Sequence, residues 1–158
     1  VLSFSYYKNV KSLPESFGML KHLRYLSRTR LETLPDSVGK LYNLQVFLLE
    51  DCKSLVKLPE SIVEMQNLQH LNVGGTPLKM LPKHIHKLRF LQTLILRWCR
   101  DMEDLPMGMG MLISLCHLDI GGMLLQQMPP GFGNLTKLQI LTDFFVGDNQ
   151  ASSIKCLQ

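Results

Sequence analysis

The stretch Leu91-Gln92-Thr93-Leu94-Ile95-Leu96-Arg97-Trp98-Cys99 decides the fold. Leucines hold its first, fourth and sixth places, and alternation of period two over so short a run argues for a strand. Beyond the cysteine come Met102, Leu105-Pro106, Met109 and Leu112. Proline cannot serve a central ladder but tolerates a loop or a first helical turn, so Leu105-Pro106 marks a return limb. One such strand and return cannot bury its apolar face alone, so the unit needs neighbours of its own kind.

The rest of the chain supplies them. Copies start at Leu23, Leu44, Leu68, Leu91, Leu115 and Leu138, giving periods of 21, 24, 23, 24 and 23 residues. An earlier, truncated copy places Leu2 and Phe4 at the fourth and sixth positions, followed by Val10 and Leu13-Pro14. The leucine-proline step recurs at Leu13, Leu34, Leu58, Leu81 and Leu105, with Met128-Pro129 as a variant. Periods in the low twenties carrying L-x-x-L-x-L are the leucine-rich-repeat signature. The expected fold is an α/β solenoid, a curved parallel β-sheet with helical or irregular convex returns. Residues 1–146 make about seven turns, the first and last incomplete, and 147–158 read as a polar linker or the start of a further repeat. The chain opens in mid-strand and reads as a fragment.

The register assigns the core. The third repeat points Leu44, Phe47, Leu49, Cys52, Leu55, Leu58, Ile62 and Met65 inward, and the next two repeat the pattern through Leu88 and Leu112. The sixth uses Leu115, Leu118, Ile120, Leu125, Met128, Phe132 and Leu135. Phe17 and Leu20 are expected to face inward from the first return. The repeat at 23–43 is two residues short and lacks its sixth-position leucine; burial of such a side chain contributes about 1.5–3 kcal/mol. Asp143 sits where the last copy requires an apolar residue. Met102 and Met109 are core positions, whereas Met107 and Met111 should be exposed.

Composition narrows the function. The chain is 46% hydrophobic and 8% aromatic, with four cysteines and a net charge of +4, and no apolar run of about twenty residues spans a membrane. Cys52 and Cys99 hold the ninth position two repeats apart, about 10 Å at the usual strand spacing, which exceeds the reach of a disulfide. Buried thiols bonded to backbone groups explain them better than a redox or metal pair, and they fit a reducing compartment. The basic cluster of Lys79, Lys83, His84, His86, Lys87 and Arg89 has no stacking aromatics among its charges, so we expect a solvated outer face and no nucleic-acid partner.

Function is expected on the open side of the sheet, where solenoids bind other macromolecules. The residues assigned to it are Arg24, Tyr25, Glu50, Asp51, His70, Asn72, Arg97, Trp98, His117 and Asp119. Trp98, the sole tryptophan, should stand at a strand end beside Arg97, and Trp and Arg are enriched at binding hot spots. The structural alternative is that Trp98 folds over Met102 or the neighbouring turn as a plug. No phosphate loop, H-E-x-x-H or nucleophile elbow occurs. His117 with Asp119 reads as polar surface, His70 and His117 are too open for a metal site, and nothing obvious activates Cys116. We therefore expect no enzyme, cofactor or metal.

Several of these runs carry a more specific likeness. Leu13-Pro14-Glu15-Ser16-Phe17-Gly18, Leu34-Pro35-Asp36-Ser37-Val38-Gly39, Leu41-Tyr42-Asn43-Leu44-Gln45, Asp51-Cys52-Lys53-Ser54-Leu55 and Gly75-Thr76 resemble repeats of plant nucleotide-binding leucine-rich-repeat disease-resistance proteins. Leu138-Gln139-Ile140-Leu141-Thr142 through Phe145-Val146-Gly147 is similar to a segment of their coiled-coil-bearing class. The resemblance implies a cytoplasmic receptor whose repeats recognise a pathogen effector, or a host protein the effector modifies. It also implies contact with a nucleotide-binding switch domain that this sequence does not contain. The alternative is a generic intracellular signalling scaffold. An extracellular receptor would suit the sequon Asn134-Leu135-Thr136, but extracellular plant repeats usually read I-P preceded by Gly where this chain reads L-P.

Overall fold

The computed structural model describes residues 1–3, 10–27 and 30–143. Seven short strands form one parallel sheet in chain order: β1 (Leu2–Ser3), β2 (Tyr25–Ser27), β3 (Val46–Leu48), β4 (His70–Asn72), β5 (Thr93–Ile95), β6 (His117–Asp119) and β7 (Ile140–Thr142). The register is the one the leucines dictate. Leu2 pairs with Leu26, Leu26 with Phe47, Phe47 with Leu71, Leu71 with Leu94, Leu94 with Leu118 and Leu118 with Leu141. Fourth positions thus stack into one inward column.

Each described return contains a single 3₁₀ helix: Glu15–Met19, Asp36–Lys40, Glu60–Glu64, Ile85–Lys87, Met107–Met111 and Phe132–Asn134. Proline explains where four of them start, the first three and the fifth. Pro14, Pro35 and Pro59 are extended, need no ladder N–H, and offer carbonyls that accept from Phe17, Val38 and Ile62 at 2.9, 3.1 and 3.1 Å. A helical turn is wider than the roughly 4.8 Å between strands, so the stack bends with the sheet on its inner face.

The core runs the length of the stack between sheet and returns. The inward residues expected from the third, fourth and fifth repeats are buried without exception. In the sixth, Met128 is only partly buried, and Met123, which the register reading passed over, holds the ninth position and is buried. Leu20 corrects the inward assignment, being 46% exposed. Its counterparts Leu41, Met65, Leu88 and Leu112 have described turns on both sides, whereas Leu20 has one on one side only. The short repeat closes around Leu31, which is fully buried. Phe4, Arg28, Thr29 and the run Phe145-Val146-Gly147 lie outside the described residues, as do Cys156 and the segment 147–158. Met107 and Met111 are exposed, as their register requires.

Two features were not singled out from sequence. Asn43 Nδ2 donates to the Lys21 carbonyl at 2.8 Å and Asn67 Nδ2 to the Tyr42 carbonyl at 2.7 Å, fastening successive repeats at the entry to β3 and β4. A second ladder also runs along the limb before each leucine-proline step. Glu32 N–H bonds the Lys11 carbonyl at 2.7 Å, Lys79 N–H the Val56 carbonyl at 3.4 Å, and Gln126 N–H the Glu103 carbonyl at 3.4 Å. Among the described residues, no such bond joins Val56 to Glu32 or Glu103 to Lys79.

Candidate protein-recognition face

Parallel register arranges the outward side chains in rows. Tyr25, Val46, His70, Thr93, His117 and Ile140 form one; Leu48, Asn72, Ile95, Asp119 and Thr142 form the next. From β3 to β6 every member is half-buried, and the flanking strands contribute half-buried Tyr25 and exposed Ile140 and Thr142. Arg24, Glu50 and Arg97 lie just outside these rows and are exposed.

Repeats of two kinds alternate along this face. In repeats three and five the strand ends on Leu48 or Ile95 and continues through Glu50-Asp51 or Arg97-Trp98. In repeats four and six it ends on Asn72 or Asp119 and continues through Gly74-Gly75 or Gly121-Gly122. The polar strand ends are occupied locally: Asn72 Oδ1 accepts from Gly74 N–H at 2.9 Å, and Asp119 Oδ1 from Gly121 N–H at 3.0 Å. Both side chains therefore shape the turn as well as line the face.

The eighth position of repeats three to six turns through left-handed backbone. Asp51 has φ 59°, Gly75 68°, Trp98 62° and Gly122 70°. Their amides continue the ladder, with Asp51 N–H on Gly74 O at 2.9 Å, Gly75 N–H on Arg97 O at 2.8 Å and Trp98 N–H on Gly121 O at 2.8 Å. Glycine enters this conformation freely, and Asn or Asp tolerate it, whereas a bulky residue there is an outlier. Trp98 is that outlier. Its ring lies on Gly122, where an added Cβ would come 2.3 Å from Cε3, and the Arg100 guanidinium stands 5.0 Å from the ring centroid. The Trp98 side chain thus folds over the next turn but leaves the residue 49% exposed. It is both a partial cover for Gly122 and a half-exposed aromatic flanked by the Arg100 guanidinium.

Asp51 and Trp98 accordingly sit past the strand ends, at the rim of the sheet. Asp51 is paired with Lys53 at 2.6 Å, and Lys53 also donates to the Gly75 carbonyl at 3.1 Å. Arg97 leans back across Gly74, its Cγ 3.0 Å from where a Cβ would stand. Glu50 and Arg97 form no ion pair among the described residues. Nine of the ten assigned residues therefore form a strip along the inner face and the rim past the strand ends, and Arg24 stands at the entry to β2. His70 and His117 flank Thr93 in one row, two strand spacings or about 10 Å apart. Among the described residues no group of three or more His, Cys, Asp and Glu is placed to hold a metal ion.

The ninth position lies beneath this rim. Cys99 Sγ donates to the Val73 carbonyl at 3.2 Å and meets Thr76 Oγ1 at 3.5 Å. Burial pushes its thiol above the ordinary value; hydrogen bonding to Thr76 works against that shift without reversing it. Cys52 and Cys99 are buried thiols outside any disulfide, and half-buried Cys116 donates to the Ser114 carbonyl at 3.4 Å. No described helix is long and apolar enough to cross a membrane.

Comparison with known proteins agrees with this geometry. A family model described as a leucine-rich repeat region matches residues 68–158. The disease resistance protein RPS4B of Arabidopsis thaliana is 38% identical over 74 residues, covering 47% of this chain and 6% of that protein. TMV resistance protein N of Nicotiana glutinosa is 43% identical over 58 residues, 35% of this chain and 5% of that protein. The chain therefore spans only a small part of either relative. Among solved structures, a TDR receptor superposes with a TM-score of 0.70 at 25% identity, over 84% of this chain and 24% of that one. The chain belongs to the leucine-rich-repeat family, and its repeats are of the kind carried by plant disease-resistance proteins.

Proposed function

We propose that this chain is the recognition module of a plant intracellular immune receptor. Its inner face binds a pathogen effector or a host protein that the effector modifies. In the full-length protein the array also contacts a nucleotide-binding switch domain and restrains it, in the cytoplasm. The observation that carries this reading is Trp98, a half-exposed aromatic in strained left-handed backbone where the neighbouring repeats use glycine. Backbone strain of this sort costs on the order of 1–3 kcal/mol and concentrates at functional sites. Arg97 and Arg100 beside it supply charge at the same place.

The test compares two double variants of the intact receptor in a pull-down or an immune-response assay. Trp98→Ala with Arg97→Ala is expected to weaken recognition by roughly thirtyfold, since truncating a hot-spot Trp costs upwards of about 2 kcal/mol. Lys83→Ala with Lys87→Ala, on the outer face, is expected to cost less and mainly to alter salt dependence. Loss of recognition in the outer pair alone would mean that function has been assigned to the wrong face.

A further inference from the structure

The return side of the stack carries a trough of about 600 Å³ that the inner face does not explain. It runs across the first four repeats, from Glu15 to Pro82. Its floor is the staircase of leucine-proline steps at Leu34, Leu58 and Leu81. One lip is apolar, with Val56 50% and Met80 66% exposed. The other is acidic, because Glu15, Asp36 and Glu60 each follow a leucine-proline step and so align in consecutive repeats.

The trough has an identifiable cause. Repeats of 24 residues carry one more residue between the ninth position and the next core leucine than repeats of 23, as Cys52-Lys53-Ser54-Leu55 against Thr76-Pro77-Leu78 shows. That residue displaces the limb before Leu58, and the outer ladder breaks there. The Val56 N–H and Glu32 carbonyl, both on residues lining the trough, make no backbone hydrogen bond among the described residues.

We propose that this trough is a second docking site, for an extended segment of a partner protein in which Lys or Arg alternates with large apolar side chains. The open ladder rung suits extended backbone, which a helix with its amides already bonded could not use. The apolar floor and lip fit one face of such a segment, since successive side chains of a strand point to opposite sides. The charge fits the other face. Glu15, Asp36 and Glu60 are exposed and Lys57 is the single cation in the lining, while Glu32 is already matched by Lys11 at 3.0 Å. Glu60 also takes a long bond from the Lys83 amide at 3.3 Å. An acidic rim excludes nucleic acid and anionic lipid as occupants.

Fluorescence anisotropy with the 158-residue chain tests this. The probe is a labelled peptide, Lys-Val-Arg-Leu-Lys-Val-Arg-Leu, against one with Glu at every basic position. The basic peptide is expected to bind and the acidic one not to. Neutralising the rim (Glu15→Gln, Asp36→Asn, Glu60→Gln) should weaken binding at least tenfold, and Val56→Ser should weaken it without altering its salt dependence. Trp98→Ala should leave it unchanged, which separates this site from the inner face. Because all these positions except Trp98 are surface groups of the trough, circular dichroism is expected to match the parent chain. Equal binding by the rim variant, or loss in Trp98→Ala, would overturn the proposal. So would a concentration-dependent dimer that the rim variant abolishes, since Lys79–Arg89 of a second copy would then be the occupant.

Discussion

At the scale of single residues the eighth position of repeats three to six governs both shape and exposure. Gly122 must adopt φ 70° and also bear the Trp98 ring. An Ala there would enter left-handed backbone, at about 1–2 kcal/mol, and would drive its methyl into that ring. Gly122→Ala is therefore expected to destabilise the fold by more than about 2 kcal/mol in the parent chain and by only about 1 kcal/mol in a Trp98→Gly background. Denaturant midpoints of the four proteins in the cycle measure this coupling, and equal penalties would show that the ring yields freely. Cys99 gives a pH prediction. Its folded thiol titrates above the ordinary thiol value, chiefly through burial, so the folded state holds the proton longer than the unfolded state does. The associated stability is intact below about pH 8.5, the ordinary thiol value, and declines as pH rises through the folded value. Cys99→Ala is expected to flatten the fall in stability between neutral and alkaline pH, read from urea unfolding at each pH.

At the scale of elements, repeat length decides where the outer ladder holds. Amides of Glu32 and Val56 occupy equivalent limbs, yet the first bonds its neighbour at 2.7 Å and the second does not. Native-state hydrogen exchange is expected to be at least tenfold faster at Val56 than at Glu32, and Glu103 should behave like Val56. Comparable protection would mean that the rung forms in solution. The alternation behind this was present in the sequence as the 24 and 23 periods, but reading only leucine positions hid it. The leucines repeat in every copy, whereas the added residue falls in a limb where no core side chain records it. Strand register was fully legible, because a one-residue slip would turn Leu71 or Leu94 out of the core. Leu20 shows the converse limit: a pattern states which side a residue faces, not how much of it the neighbouring side chains cover.

At the scale of the whole molecule, the sequence displayed the candidate face as a set of outward positions and could not show how its members are held. It placed Trp98 at a strand end, but the left-handed turn was legible only by aligning Trp98 with Gly75 and Gly122. It likewise named Asn72 and Asp119 without their bonds to the following turn, which depend on backbone direction. What the sequence did convey is that each repeat touches only the repeats beside it, and this determines how the stack fails. Leu94 is fully buried and paired through its strand with Leu71 and Leu118, so its truncation opens a cavity shared by three turns. Leu141, in β7, is only partly buried and has a described neighbour on one side. Leu94→Ala is expected to cost about 2–5 kcal/mol, the range for buried leucines, and Leu141→Ala about 1 kcal/mol or less. Because stability in such stacks is a sum of repeat and interface contributions, the Leu94 variant should also lose cooperativity, with repeats on either side of β5 unfolding at separate denaturant concentrations. Residue-resolved exchange along a urea series reads this directly. A single transition with an unchanged slope would show that the array folds as one unit, and that coupling reaches beyond nearest neighbours.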